Sequence, residues 1–410
     1  MEKKEVPVEE LKFGMYVSEL DRPWTETPFV FQGFVLEDEK QLGTLKKYCK
    51  KVYVDPEKST DLPDRRAIKT IPGGTKPKIE SVLASITRKV VYEEKVSVDV
   101  ELPAARAAQG RTEVALRDVF DTVRSGKVID APRVREAVTS MTDSVVRNPD
   151  AMLLLSKLKE RSDLTHDRAI GVSIYMITFG RFLQLPREQL DLLGMLGLLQ
   201  DVGKMRMPAG LLEKKGPLTE EERKACQSHL EHSVAILKET TGLPTELPAL
   251  AALHHERFDG SGYPDHLKGP EIGLFGSIAG LVDCFDALTR QRPYADALSP
   301  SNALSKLYDW RDTLFDGSLV QQMIQCIGIY PVGAAVEMNS GEIGIVIAQN
   351  LVRRLQPRVM LVLDAKGNPI KPQKILDLVK EPKAGPDMPY RIKRTLEKGS
   401  VPIDAAEFFL

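Results

Sequence analysis

The sequence predicts a multidomain, mainly α protein, with a central helical bundle, a small amino-terminal α+β domain and a short carboxy-terminal β appendage. Three observations predict this. A chain of 410 residues exceeds what one hydrophobic core usually organises. Between about 150 and 330 apolar residues recur at helical spacing, as in Ile170, Ile174, Ile177 and Leu192, Met195, Leu198, Leu199. After Tyr330-Pro331 the pattern changes to strands separated by Gly- and Asn-bearing turns.

Residues 1–58 form the first expected domain. Short β-rich runs (Gly14-Met15-Tyr16-Val17, Phe29-Val30-Phe31, Lys51-Val52-Tyr53-Val54) flank a helical stretch from Asp38 to Lys50. Trp24, Phe29, Phe31 and Phe34 are expected in its core, the alternative being a surface for a protein partner. Residues 59–100 read as a linker, rich at first in Pro, Gly, Lys and Asp and including Ile71-Pro72-Gly73-Gly74. Connecting helices follow over 101–149: Val114, Leu116, Val119, Phe120 and Val123 share a helical period, and Ala131-Pro132 opens a second helix with Pro in its first turn.

The helical domain spans 150–333. Thr219 with Glu222 forms a capping box that opens a helix running through His229. A further helix starts near Pro248, carries His254 and His255, and ends before Asp259-Gly260. The appendage, 334–410, contains Ala335–Met338, Gly344–Ile347 and Val359–Leu363, with turns at Asn339-Ser340-Gly341 and Lys366-Gly367-Asn368.

A formal net charge of −1 gives no electrostatic reason to expect a nucleic-acid polymer or an anionic membrane as partner. Cys49, Cys226, Cys284 and Cys326 are scattered without CxxC spacing, which excludes a zinc ribbon and fits reduced thiols in a cytoplasm. The amino terminus lacks the apolar core of a signal peptide, and no run reads as a membrane span of roughly 20 apolar residues.

Only six histidines occur, yet His229, His254 and His255 join Asp201 and Asp283 as potential ligands at predicted helix ends. Neutral imidazoles with a carboxylate suit Fe, Mn, Zn or Ni, and helices of a bundle can project them onto one point. Such an ion polarises a phosphoryl oxygen and activates water. Taken singly these residues are weaker signals: Asp201 could be a helix cap, and Lys204 a lysine favourable to a helix C-terminus. Asp286 is expected to hold local structure by hydrogen bonds, and His232 and His266 to face solvent.

The order and flanking residues resemble the HD-GYP family, a bacterial branch of the HD metal-dependent phosphohydrolases that cleaves cyclic di-GMP. The resemblance covers roughly Asp163 to Pro331 and rests on Gly197 through Lys204, His254 through Pro264, and Asp283 through Thr289 followed by Arg292-Pro293-Tyr294. The amino-terminal piece is similar to a small domain of unknown function that often precedes this unit. The resemblance implies an HD-type bundle in which Asp201, His229, His254, His255 and Asp283 serve as metal ligands and Lys204 sits near the scissile phosphate. It further implies that Gly260 and Gly262 permit a tight loop, that Tyr263 and Pro264 shape the substrate cleft, and that Arg292 contacts ligand phosphate.

Two departures weigh against a complete site. The family's His-Asp pair reads Gln200-Asp201, and the helix-one histidine corresponds to Arg168, His166 being the alternative register. Two residues along a helix rotate a side chain by about 200°, so His166 and Arg168 face opposite ways. An amide oxygen is a poor ligand for a transition metal, and a guanidinium repels one. Leu164 stands where some members carry an acid for a third metal, and Ala295 where many have a further basic residue. One cation rather than two is therefore expected. Two functions follow: a cyclic di-GMP phosphodiesterase with an incomplete first metal position, or a catalytically inactive cyclic di-GMP receptor or protein-interaction module.

Overall fold

The computed structural model describes residues 4–22, 27, 34–36, 39–55, 82–86, 88–158, 164–208, 210–211, 214, 216, 218–291, 296–350 and 352–396. The chain divides into two compact units, Met1–Lys78 and Ile79–Leu410.

In the first unit, β1 (Lys4–Pro7), β2 (Tyr16–Leu20), β3 (Phe34–Val35) and β4 (Lys51–Asp55) form an antiparallel sheet in the order β1-β4-β2-β3, with α1 (Glu39–Tyr48) inserted before β4. Period-two burial puts Val52 and Val54 inside, where they meet Val6, Val17, Leu20, Leu36, Leu42 and Leu45. The sequence reading missed β1, a short strand ending in Pro7 that pairs along the β4 edge. Trp24, Phe29 and Phe31 lie outside the described residues, as does most of the expected linker.

The second unit opens with a segment laid along the bundle. Val90 donates its amide to Gln184 O, Lys95 to Arg147 O, and the Tyr92 hydroxyl to Leu185 O. Next come α2 (Val98–Arg124), α3 (Ala131–Arg147) and α4 (Pro149–Leu158), which pack on one another. Asp130 caps α3 by accepting from Arg133 N at 3.2 Å, with Pro132 in the first turn as expected. Of the five residues read as one face of α2, Leu116, Val119, Phe120 and Val123 are buried but Val114 is half exposed. Val114 stands two residues before Leu116, a rotation of about 200° that puts it on the other side of the helix.

At the centre lie α5 (Leu164–Phe182) and α6 (Arg187–Leu199), which pack on each other. Any β-carbon at Gly197 would come within 2.5 Å of Ser173 Cα, so this glycine lets the two helices approach. A 3-10 turn (Val202–Arg206) leads to α7 (Glu220–Gln227), α8 (His229–Glu239) and α9 (Leu247–Ala251). The bundle is completed by α10 (Gly273–Thr289), α11 (Pro300–Asp309) and α12 (Gly317–Ile327).

Two helix boundaries differ from expectation. The capping box at Thr219 is present, with both reciprocal bonds, but α7 stops at Gln227 and a separate helix begins at His229. The helix expected to carry His254 and His255 ends at Ala251. Beyond it Ala252 N bonds Ala249 O and Leu253 N bonds Leu250 O, so the chain tightens into three-residue turns.

The stretch Gly269–Thr289 corrects the reading that no run approaches membrane length, since its 21 residues are long and apolar enough to cross one. Its hydrophobicity has another use: α10 lies mostly buried in the bundle, with Leu281, Val282 and Phe285 at 0% exposure.

The carboxy-terminal sheet has the order β11-β5-β6-β7-β8, all neighbours antiparallel: β5 (Ala335–Met338), β6 (Ile343–Ala348), β7 (Arg358–Leu363), β8 (Pro369–Asp377) and β11 (Ile392–Thr395). A small ladder of β9 (Lys383–Gly385) and β10 (Met388–Pro389) adjoins it. Val336, Met338, Val346, Val359, Leu361 and Leu376 fill its core. It joins the helices through Gln349 N, which donates to Asp150 Oδ2 at 2.9 Å. The architecture is the expected one: a mainly helical body, a small α+β region before it and a β-sheet after it.

Candidate metal centre

Four of the expected residues converge. One ligand atom each from Asp201, His229, His254 and His255 lie within 4.8 Å of one another. They arrive from three places: Asp201 between α6 and the 3-10 turn, His229 at the first residue of α8, and the two adjacent histidines in the turns after α9. The break at Ser228 lets His229 head a new helix, and Gly203 lets the Asp201 segment press against it, since a β-carbon there would clash with His229 O. The tight turns after α9 let both neighbours face one point, His254 and His255 having ring centroids 4.1 Å apart.

Hydrogen bonds fix the tautomers of two rings. His229 Nδ1 lies 2.5 Å from Cys226 O, and His254 Nδ1 lies 2.7 Å from Ala251 O. A carbonyl only accepts, so each Nδ1 carries the proton and each Nε2 is a lone pair turned inward. Those lone pairs lie 3.3 and 3.5 Å from Asp201 Oδ1, and all three atoms are buried with no hydrogen-bond partner. Lone pairs facing a carboxylate oxygen repel unless a cation lies among them, so these residues fit a divalent metal ion. Burial keeps the His255 imidazole neutral, as a ligand must be.

Lys204 reaches the same carboxylate, its Nζ 2.6 Å from Asp201 Oδ2. Burial alone would raise the Asp201 carboxyl; the charges of Lys204 and Arg168 outweigh it and hold it well below the ordinary range. Burial pulls the Lys204 ammonium below its usual range against the attraction of Asp201.

Asp283 stands apart from the four-ligand cluster. Its Oδ1 accepts from Arg168 Nη2 at 2.6 Å and from Gln200 Nε2 at 3.3 Å. Burial would raise this carboxyl, but the guanidinium drives it far below the ordinary range. The same pairing, against the cost of burial, raises Arg168. His166 points elsewhere, its ring 4.4 Å from that of Phe120, which is the divergence expected for two residues along α5. Asp286 binds Arg290 Nε with both oxygens, at 2.9 and 2.8 Å, and Arg290 also donates to Asp167 O, so Asp286 has the structural hydrogen bonds expected of it.

The loop after His255 forms one wall. Gly260 has φ +82°, a backbone that L side chains rarely adopt, and a β-carbon at Gly262 would come within 2.5 Å of Glu256 Cα. Tyr263 stacks on His255 with centroids 4.8 Å apart and planes 23° from parallel, and Pro264 follows through a cis bond. Sequence reasoning missed Glu256. This buried carboxylate accepts from Asp265 N at 2.7 Å and Leu267 N at 3.1 Å, tying the loop back to the histidine turn. An acid between paired histidines and a Gly-x-Gly loop was the available signal. Arg292 and Ala295 lie outside the described residues; His266 is exposed as expected, whereas His232 is half buried beside Gly203.

Comparison with known proteins agrees with this layout. The HD domain profile matches residues 150–319, a domain of unknown function, DUF3391, matches 3–134, and a KOW domain associated with HD domains matches 335–384. The cyclic di-GMP phosphodiesterase PA4108 of Pseudomonas aeruginosa is 31% identical over 384 residues, covering 92% of this chain and 89% of its own. The cyclic di-GMP phosphodiesterase response regulator RpfG of Xanthomonas campestris pv. campestris is 39% identical over 144 residues, 35% of this chain and 38% of its own. The 3'3'-cGAMP-specific phosphodiesterase 2 of Vibrio cholerae is 31% identical over 173 residues, 42% of this chain and 33% of its own. With a relationship running nearly end to end and the HD profile spanning the histidine–aspartate cluster, this chain belongs to the HD-GYP family of HD-domain proteins, in its form with an amino-terminal DUF3391.

Proposed function

We propose that the protein is a metal-dependent phosphodiesterase of bacterial signalling that acts on cyclic di-GMP through one divalent transition cation, Fe, Mn, Zn or Ni. The observation that carries this is the convergence of Asp201, His229, His254 and His255, with Asp201 Oδ1 and the Nε2 atoms of His229 and His254 buried and without hydrogen-bond partners. The long match to a relative named for that activity supports the substrate. Such an ion supplies Lewis-acid polarisation of a phosphoryl oxygen and activation of water. The chain's own residues do the rest. Lys204, held on Asp201, brings a positive charge beside the scissile phosphate. Tyr263 and Pro264 shape the wall of the cleft on the turn that Gly260 and Gly262 permit, and Arg292 grips ligand phosphate. The amino-terminal unit, with a core of its own, is the part suited to a protein partner.

A second reading, a cyclic di-GMP receptor without turnover, is favoured by one observation: Arg168 and Gln200 both bind Asp283 Oδ1, so that this oxygen is already occupied by the protein's own donors. The test is to load purified protein with Mn or Fe and incubate it with cyclic di-GMP and, in parallel, 3'3'-cGAMP. Linear dinucleotide or GMP from the first substrate is expected, and its loss in Asp201→Ala. Should wild type and Asp201→Ala both give no product, the hydrolase reading fails; calorimetric binding of cyclic di-GMP without product then establishes the receptor.

A further inference from the structure

We propose that Arg168 is a built-in cation of this cleft, its guanidinium taking the place of a second metal ion beside the ligand phosphate. The inference rests on the metal-dependent reading above and deepens it. Arg168 comes from α5, and its side chain retains 23% exposure while Asp283, which it meets at 2.6 Å, retains 7%. Its Nε lies 3.9 Å from Asp286 Oδ2, but Asp286 already has both oxygens on Arg290, so the bond to Asp283 is the close one. Arg168 Nε makes no hydrogen bond among the described residues, and Gln200 presents an amide N–H to the same Asp283 oxygen.

In that half two donors, the Arg168 guanidinium and the Gln200 amide, close on one carboxylate oxygen. A divalent ion placed there would meet a fixed positive charge at contact distance. Like charges at that distance repel, and an ion of double charge is repelled about twice as strongly as a single one. The guanidinium instead keeps donors in a rigid fork suited to phosphate oxygens. It is a positioning and charge-balancing residue whose position is set by Asp283.

The test counts metal. Full-length wild type and the double variant Arg168→His with Gln200→His are loaded with excess Mn, freed of unbound ion and analysed for Mn per chain. One equivalent is expected in wild type and two in the double variant. One equivalent in both, or two in wild type, overturns the inference and leaves the metal-dependent reading standing; none in wild type overturns both. Because the double variant places two new imidazoles in the core, a second measurement uses Arg168→Gln and Arg168→Lys, each checked by circular dichroism. Calorimetry with cyclic di-GMP on Mn-loaded protein should give about tenfold or greater weakening for Arg168→Gln, with Arg168→Lys recovering part of it. Unchanged affinity in Arg168→Gln means the ion pair merely fastens α5 to α10, and the inference fails.

Discussion

Asp201 and Asp283 are two carboxylates close enough to feel each other's charge, yet they are satisfied in opposite ways. Asp201 is surrounded by imidazole lone pairs that cannot donate to it, with one lysine on its outer oxygen. Asp283 is closed by two donors from the protein itself, Arg168 and Gln200. An acceptor-rich half asks for a cation from solution, while a donor-rich half already contains one. Residue type alone does not make a ligand; what its neighbours can donate decides it.

Removing one partner from the closed half should have the largest effect. Asp283→Asn strips the charge that matches Arg168 and should destabilise the protein by about 3 kcal/mol, the low end for a broken buried pair because the guanidinium keeps some contact with water. Arg168→Met with Asp283→Leu removes both charges and should stay within about 1 kcal/mol of wild type. Urea unfolding in metal-free buffer measures both. If the single variant costs as little as the double, the pair does not close this half and the contrast with Asp201 dissolves.

A smaller effect is expected where the wall of the open half is tied down. Glu256→Ala removes the acceptor of the Asp265 and Leu267 amides and should cost about 1–2 kcal/mol. Those two amides should exchange hydrogen faster, and cyclic di-GMP affinity should fall as the loop bearing Tyr263 loosens. Retained protection at both amides would show that stacking of Tyr263 on His255 holds the loop without the carboxylate.

The open half was far more legible in the sequence than the closed one. Adjacent histidines before a Gly-x-Gly turn, with a carboxylate and a third histidine upstream, name their chemistry by residue type, and the structure brings those four together. Arg168 could be singled out only by setting α5 in register, because an arginine on a helix carries no sign of which carboxylate it will meet. The helix breaks at Ser228 and after Ala251 were invisible for a related reason: good helix formers surround both, and it is the meeting of imidazoles at one point that stops the helices. Strands β1, β8 and β11 escaped notice because they are edge strands rich in Lys, Glu, Pro and Arg, whose pairing partner supplies what the pattern lacks.

A third carboxylate sharpens the contrast. Asp150 is as buried as Asp283, but its bonded partner is a backbone amide, Gln349 N, rather than an arginine. Burial therefore wins and pushes this carboxyl up to about 7, where Asp283 is driven down. The sign follows from proton binding. The unfolded chain releases this proton near pH 4, while the folded protein holds it to about 7, so between those values the unfolded state binds fewer protons and stability falls as pH rises. The slope should be about 1 kcal/mol per pH unit and should level off above pH 7. Asp150→Asn, which keeps an acceptor for Gln349 N and cannot ionise, should remove that part of the slope in urea unfolding between pH 4.5 and 7.5. Parallel slopes for variant and wild type would mean that Asp150 is charged in the folded protein after all, with Arg181, the nearest source of compensating charge, holding it ionised across the space between them.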